Sequence, residues 1–135
     1  MHPLMVLVPT GAWSSAAVFD LIPGGSRTAR TLVGLGLLGA VPSVAAGATD
    51  WATLGRSQMR VGLVHATANY AGIACYAVSY IERRRGRIIR GKLFALAGLA
   101  AISVGGYLGG HLTYRQGAHV EAEVIEPDPA ADDEV

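Results

Sequence analysis

Four histidines carry most of the chemistry that this 135-residue sequence offers: His2, His65, His111 and His119. Imidazole ligates transition metals through either ring nitrogen and exchanges protons near neutral pH. His65 and His111 lie inside long uncharged apolar runs. In a membrane an imidazole there is costly and marks a functional site by default. His65 follows Arg60 by five residues, and His111 precedes Arg115 by four. With those arginines at the water boundary, both rings enter to a depth of roughly 6–8 Å at 1.5 Å per residue. His2 stands before the first apolar run and His119 just after the last.

Two neutral imidazoles at one depth on neighbouring helices suit heme b. In that reading His65 and His111 are the axial ligands and His2 is a reserve ligand. Arg60 and Arg115 lie just outward of the ligands and match the propionates, and Trp13 and Tyr107 pack against the ring. Asn69 belongs to the same face as His65: His65, Asn69, Gly72 and Tyr76 are spaced 4, 3 and 4 and form one stripe. A stripe of polar and small residues is expected to face the bundle interior. Such a protein would pass single electrons between quinol in the membrane and an outside acceptor. The same residues leave other readings open. His2, His65 and His111 could hold zinc or copper, with Asp50 as a further donor, although no HxH or HExxH spacing occurs. A histidine or tyrosine could hydrogen-bond a quinone. The histidines could instead bind no cofactor and donate to carbonyls or to Asn69 across helices. That last case fits a non-catalytic accessory subunit of a larger respiratory or transport complex.

The elements that must position these residues are set by composition. The chain is 51% hydrophobic and only 16% charged, against about 25% charged in soluble domains. Its mean hydropathy is +0.37. This excludes a disordered chain, and the single cysteine, Cys75, excludes a disulfide-stapled module. The apolar residues come in four runs of about the ~20 residues that cross a hydrocarbon core as a helix. None has the polar outer face of a soluble bundle. Spans are therefore expected at 4–22, 31–48, 60–82 and 92–114, forming an all-α, integral membrane four-helix bundle over residues 1–118. No Lys or Arg precedes the first run, and Pro23-Gly24-Gly25 follows it, so it reads as a mature helix rather than a signal peptide. Pro9 and Pro42 are expected to kink their helices. On the last span Gly98, Gly105, Leu108 and Leu112 form one stripe, and Gly106, Gly110 and Tyr114 another. Both allow close helix approach, including that of a second copy of the chain. The glycines are not phosphate loops, because no GxxxxGK[ST] occurs. Cys75 reads as packing.

Charge sets the orientation. Residues 1–115 hold all eleven Lys and Arg against three acids, while seven of the ten acids lie between Glu121 and Glu134. Arg27 and Arg30 fall in the first turn. Arg83, Arg84, Arg85, Arg87, Arg90 and Lys92 crowd the third. The excess of positive charge places these turns inside and both termini outside. Between two spans the basic turn orients the chain and can touch anionic lipid; it is not a nucleic-acid patch. Asp20 is expected to pair with Arg27, Arg30 or the long basic turn. Trp51 fits an interfacial anchor, with Asp50 capping a short helix or pairing with Arg115. Residues 119–135 read as a disordered acidic tail.

Several of these motifs occur together in one known family. They are His2-Pro3 with Val8-Pro9-Thr10-Gly11-Ala12-Trp13, then Gly47-Ala48-Thr49-Asp50-Trp51. Gly62-Leu63-Val64-His65-Ala66 with Asn69 follows, and Gly106-Tyr107-Leu108-Gly109-Gly110-His111-Leu112 with Tyr114-Arg115 completes the set. Over residues 1 to about 120 the chain resembles a family of bacterial membrane proteins known as domain of unknown function 2231. The resemblance implies a multi-pass protein of the bacterial inner membrane. Some family members look like fusions with a Rieske iron–sulfur domain, which implies an association with electron transfer. This chain lacks the paired Cys-His motifs that would hold such a cluster.

Overall fold

The computed structural model describes residues 2–51 and 56–115, with the side chains of 4–49 and 59–110. The described residues form helices and short turns, with no strand among them. A single turn, α1 (His2–Met5), precedes four longer helices: α2 (Leu7–Leu21), α3 (Ser26–Trp51), α4 (Arg56–Arg84) and α5 (Ile88–Arg115). The expected disordered tail lies outside the described residues.

The span expected at 4–22 is interrupted at Val6. Pro9 supplies the reason. It has no N–H to give the Met5 carbonyl, so the helical ladder fails at that point. Helix resumes with the Thr10 N–H bonded to the Val6 carbonyl at 3.1 Å. The 15 residues of α2 rise about 22 Å, less than the ~30 Å hydrocarbon core. Three helical stretches are long and apolar enough to cross a membrane: Ser26–Thr49, Met59–Arg84 and Ile88–Gly110. These helices outrun the apolar ranges at their ends, because Arg and Lys continue a helix readily after hydrophobicity stops. Pro42 sits within α3 without ending it.

The turns are dictated locally. Ile22 is extended (ψ 128°), as the residue before a proline must be, and Gly24 follows with φ +80°. A side chain at Gly25 would start only 2.1 Å from the Phe19 carbonyl oxygen, so the chain can fold back only on glycine. At the end of α4, Gly86 adopts φ +77°. Its N–H meets the Arg83 carbonyl, and the Arg87 N–H meets the Glu82 carbonyl at 2.9 Å. This is the paired C-terminal cap that a left-handed glycine makes possible.

The most extensive packing is between α4 and α5. Gly72 and Gly98 face each other so closely that a Cβ on either would lie 3.2 Å from the other's carbonyl oxygen. Gly91, Gly98 and Gly105 recur every seven residues, the period that keeps one line of a helix against its neighbour. Side chains of α4 occupy the space they leave. On the other side, the Trp13 ring of α2 lies against Gly36 of α3, and Val8 and Pro9 lie against Gly39. Trp13 also stacks on Tyr76 of α4, with centroids 4.1 Å apart and planes 8° from parallel. Its indole N–H donates to the Val33 carbonyl at 3.3 Å. The core around this stack is small: Ala16, Ala29, Val33, Ala40 and Ala95. Small side chains let helices approach to distances where dispersion replaces the missing hydrophobic drive.

The outer surface is apolar, with Leu21, Leu38, Val41 and Leu63 exposed. The hydroxyls of Thr10, Thr31, Thr67 and Ser103 each donate to the carbonyl four residues earlier on their own helix. Satisfied in this way, they can face lipid without an orphaned donor. The second glycine stripe, Gly106 and Gly110, faces open space, with nothing within 4 Å of the point where a Cβ would stand.

Two substitutions separate the stripes. Gly98→Val drives a branched side chain into Tyr76 and Gly72 and is expected to cost about 1–3 kcal/mol of stability. Gly106→Ala is expected to be neutral or slightly stabilising, because helix propensity is its main effect. The midpoint of sodium dodecyl sulfate unfolding in mixed micelles reads both, and equal midpoints would contradict the assignment of the stripes.

Candidate functional site

The two ends of the bundle differ in chemistry. One end gathers the α2–α3 and α4–α5 turns and is basic. The other carries His65, which lies 18 residues from Arg83 along α4, about 27 Å at helical rise.

At the histidine end, the expected stripe faces α5. Gly72 and Tyr76 are buried and His65 and Asn69 are half-buried. Gly105 and Gly109 give the polar pair its room: added methyls would lie 2.6 Å from Asn69 Oδ1 and 2.8 Å from His65 Cε1. His65 Nδ1 is 2.7 Å from the Gly105 carbonyl oxygen. A carbonyl only accepts, so Nδ1 carries a proton and donates it across the helix pair. The Asn69 amide donates from Nδ2 to the His65 carbonyl at 2.9 Å and lies beside the ring, 3.1 Å from Nε2 and 3.4 Å from Nδ1. The ring is therefore tied across the helix pair through Nδ1 and flanked within α4 by the Asn69 amide.

The other residues expected around a heme are distributed elsewhere. Trp13 is buried in its stack on Tyr76. Tyr107 is 76% exposed on the outer surface of α5. Arg60 is exposed near the start of α4. His111 and Arg115 belong to α5, and His2 to α1, but their side chains lie outside the described residues, as do those of Asp50, Trp51 and His119. Among the described residues no group of three His, Cys, Asp or Glu is placed to hold a metal ion.

The basic end contains a buried ion pair. Arg83, 2% exposed, grips the Asp20 carboxylate with two parallel bonds, Nη1 to Oδ1 at 2.8 Å and Nη2 to Oδ2 at 2.5 Å. Its Nε donates to Ser79 Oγ at 3.1 Å, and Ser79 donates to the Gly91 carbonyl at 2.6 Å. Lys92 donates to the Asp20 backbone carbonyl. A methyl at Gly91 would lie 2.5 Å from Arg83 Cγ, so this glycine makes room for the buried arginine. One guanidinium thus joins the end of α2 to α4 and, through Ser79, to α5. The fork geometry favours Arg over Lys here. Nearby Glu82, also buried, faces Arg85 and Arg87 at 3.4 and 3.5 Å.

The sequence led to the partnership of Asp20 with the basic turn, but not to the singular position of Arg83. A run of arginines reads as a solvated face, and only the i, i+4 spacing of Ser79 and Arg83 hints that one points inward. The Trp13–Tyr76 stack was also missed, since nothing in either helix alone announces its partner.

Removing one member of the buried pair leaves the other charge uncompensated. Arg83→Gln is expected to cost about 3–5 kcal/mol. Adding Asp20→Asn to it is expected to recover part of that loss. A double-mutant cycle on micellar unfolding measures the coupling; strictly additive losses would show that the two do not interact.

A family model described as "Predicted membrane protein (DUF2231)" matches residues 1–122. No curated protein matches the chain, and no solved structure does. The three long apolar helices, the lipid-suited surface and a match spanning every described residue lead to one conclusion: the chain belongs to the DUF2231 family of membrane proteins.

Proposed function

We propose that this chain is a non-catalytic helical subunit of the bacterial inner membrane that takes its place in a larger membrane assembly. The observation that carries the reading is the hydrogen bond of His65 across the helix pair. An imidazole that donates to the Gly105 carbonyl ties α4 to α5. Interhelical hydrogen bonds of this kind are worth about 0.6–1.7 kcal/mol in membranes. The buried Arg83–Asp20 pair has the same character, since its charges neutralise each other and hold three helices. The exposed Gly106–Gly110 line beside Tyr107 leaves a flat outer face on which another helix can lie.

In this reading α1 and α2 together enter the bilayer as a fourth, broken span. Arg27, Arg30 and the Arg83–Lys92 turn lie in the cytoplasm, and the start of α1 and the end of α5 lie outside. The charge asymmetry supports this placement.

A second reading keeps His65 as an axial ligand of heme b in electron transfer. The Nδ1–Gly105 bond favours it, because a second hydrogen bond of this type orients a metal-ligating imidazole and presents Nε2. Heme would supply one-electron exchange. The Asn69 amide, 3.1 Å from Nε2, would have to move aside to admit it, and the second ligand of this reading, His111, has its side chain outside the described residues. Zinc, copper or a quinone at the same end would meet the same Asn69.

Absorption spectra before and after dithionite, with metal analysis, separate these readings in protein purified from its own membranes. The subunit reading expects no Soret band, no stoichiometric metal, and an extracted particle larger than one chain in its detergent. A Soret band that disappears in His65→Ala, with helix content retained, would establish the heme reading instead. Orientation is read by maleimide labelling of Arg90→Cys in a Cys75→Ala background. Labelling is expected only after the cytoplasmic side is opened, and labelling of intact cells by an impermeant reagent would reverse the topology.

A further inference from the structure

Between α3 and α4, where packing is thinner than in the α2–α3 and α4–α5 pairs, a groove of about 740 Å³ opens on the surface. Its rim carries Arg30 and Arg84, and Leu35 and Leu38 line its apolar part. Tyr80 lies across Gly34, where a methyl would come within 3.0 Å of the ring, so glycine leaves the floor free of its own side chain. Leu38 is eight residues beyond Arg30, about 12 Å further along α3. The groove therefore grades from two cations and a phenol to bare hydrocarbon.

Neither rim cation has a partner among the described residues, and Arg30 and Arg84 differ from the other unpartnered arginines of this end in lining the groove. Arg83 is held by Asp20, and Arg85 and Arg87 face Glu82. Arg30, Arg84 and the Tyr80 hydroxyl make no hydrogen bond or ion pair with the described residues. An uncompensated pair of guanidinium groups above an apolar trough complements one occupant: a phosphate ester carrying a hydrocarbon tail. We propose that this groove binds one anionic phospholipid, its phosphodiester between Arg30 and Arg84 and an acyl chain along Leu35 and Leu38. The proposal needs only that α3 and α4 lie in a bilayer, and it stands whichever reading of His65 holds.

The test is native mass spectrometry of the full chain in detergent. It is titrated with phosphatidylglycerol and, separately, with phosphatidylcholine of the same acyl chains. One phosphatidylglycerol per chain is expected, bound in preference to phosphatidylcholine. At about tenfold per 1.4 kcal/mol and about 1 kcal/mol for each basic residue, Arg30→Gln with Arg84→Gln is expected to weaken it about 30-fold. Arg27→Gln with Arg90→Gln, exposed charges of the same end that do not line the groove, is expected to leave it unchanged. Leu38→Trp keeps both arginines and fills the tail position, and it is expected to lose the lipid too. Equal retention of the two lipids would overturn the proposal. So would equal loss in the Arg27/Arg90 control, or full retention in Leu38→Trp. Displacement by inorganic phosphate or glycerol phosphate at the lipid's own concentration would show a site for free phosphate rather than a lipid.

Discussion

The approach of α4 to α5 across Gly72 and Gly98 is the constraint on which the other features depend. In hydrocarbon, burying an apolar side chain against another helix gains little over leaving it in lipid. Association must come from close packing and from polar groups that find partners. Two glycines with their backbones in near contact supply the first condition. They also create the second. Only at this separation can His65 reach a main-chain carbonyl of α5, and Ser79 another. The glycines of α5 are thus less a flexible element than a row of vacated volumes. Each is taken by an α4 side chain: Arg83 at Gly91, Tyr76 at Gly98, Asn69 at Gly105 and His65 at Gly109.

The two ends meet the cost of polar groups differently. At the basic end the charges are formal, and desolvating an unpaired guanidinium in a membrane would be prohibitive. The answer is saturation: Asp20 takes two donors of Arg83, Ser79 takes a third, and Lys92 covers the carbonyl of the same aspartate. At the histidine end there is no ion pair among the described residues, and the ring donates to the Gly105 carbonyl while Asn69 donates to the His65 carbonyl. Between the ends the Trp13–Tyr76 stack joins α2 to α4 without polar help, apart from the indole N–H on Val33. Short, broken α2 is therefore fixed to its neighbours at its buried ring and again at Asp20.

Periodicity made one side of the main interface legible. His65, Asn69, Gly72 and Tyr76 follow helical spacing, and a continuous stripe of polar and small residues in an apolar run is expected to face inward. The partner face was harder. α5 carries glycines in two stripes, and spacing alone treats Gly98–Gly105 and Gly106–Gly110 alike. What separates them is the bulk arriving from α4, which no local pattern records. The same limit hid Arg83 among five other cations of the turn. The disturbance that Pro9 causes was legible as a kink, though not its place at Val6, because Pro9 acts through a carbonyl four residues upstream. Composition, by contrast, was enough for the membrane assignment, since no polar face had to be found.

His65 shows why depth and residue type do not by themselves identify a ligand. A histidine at that depth must have its donor satisfied whether or not it binds iron, and the Gly105 carbonyl does so in either case. The discriminating atom is Nε2. A ligand site keeps that lone pair open toward a cavity, with the surrounding side chains shaped for the ring to come. Here the residue one turn on is Asn69, whose amide reaches Nε2 and the His65 carbonyl together, and Gly109 brings the α5 backbone against Cε1. An imidazole whose Nδ1 donates across the helix pair, with the Asn69 amide against its ring, is a polar residue made compatible with lipid. That geometry favours the helix tie over the axial ligand, and it does so through Asn69, which at the level of sequence looked like a supporting member of a cofactor site.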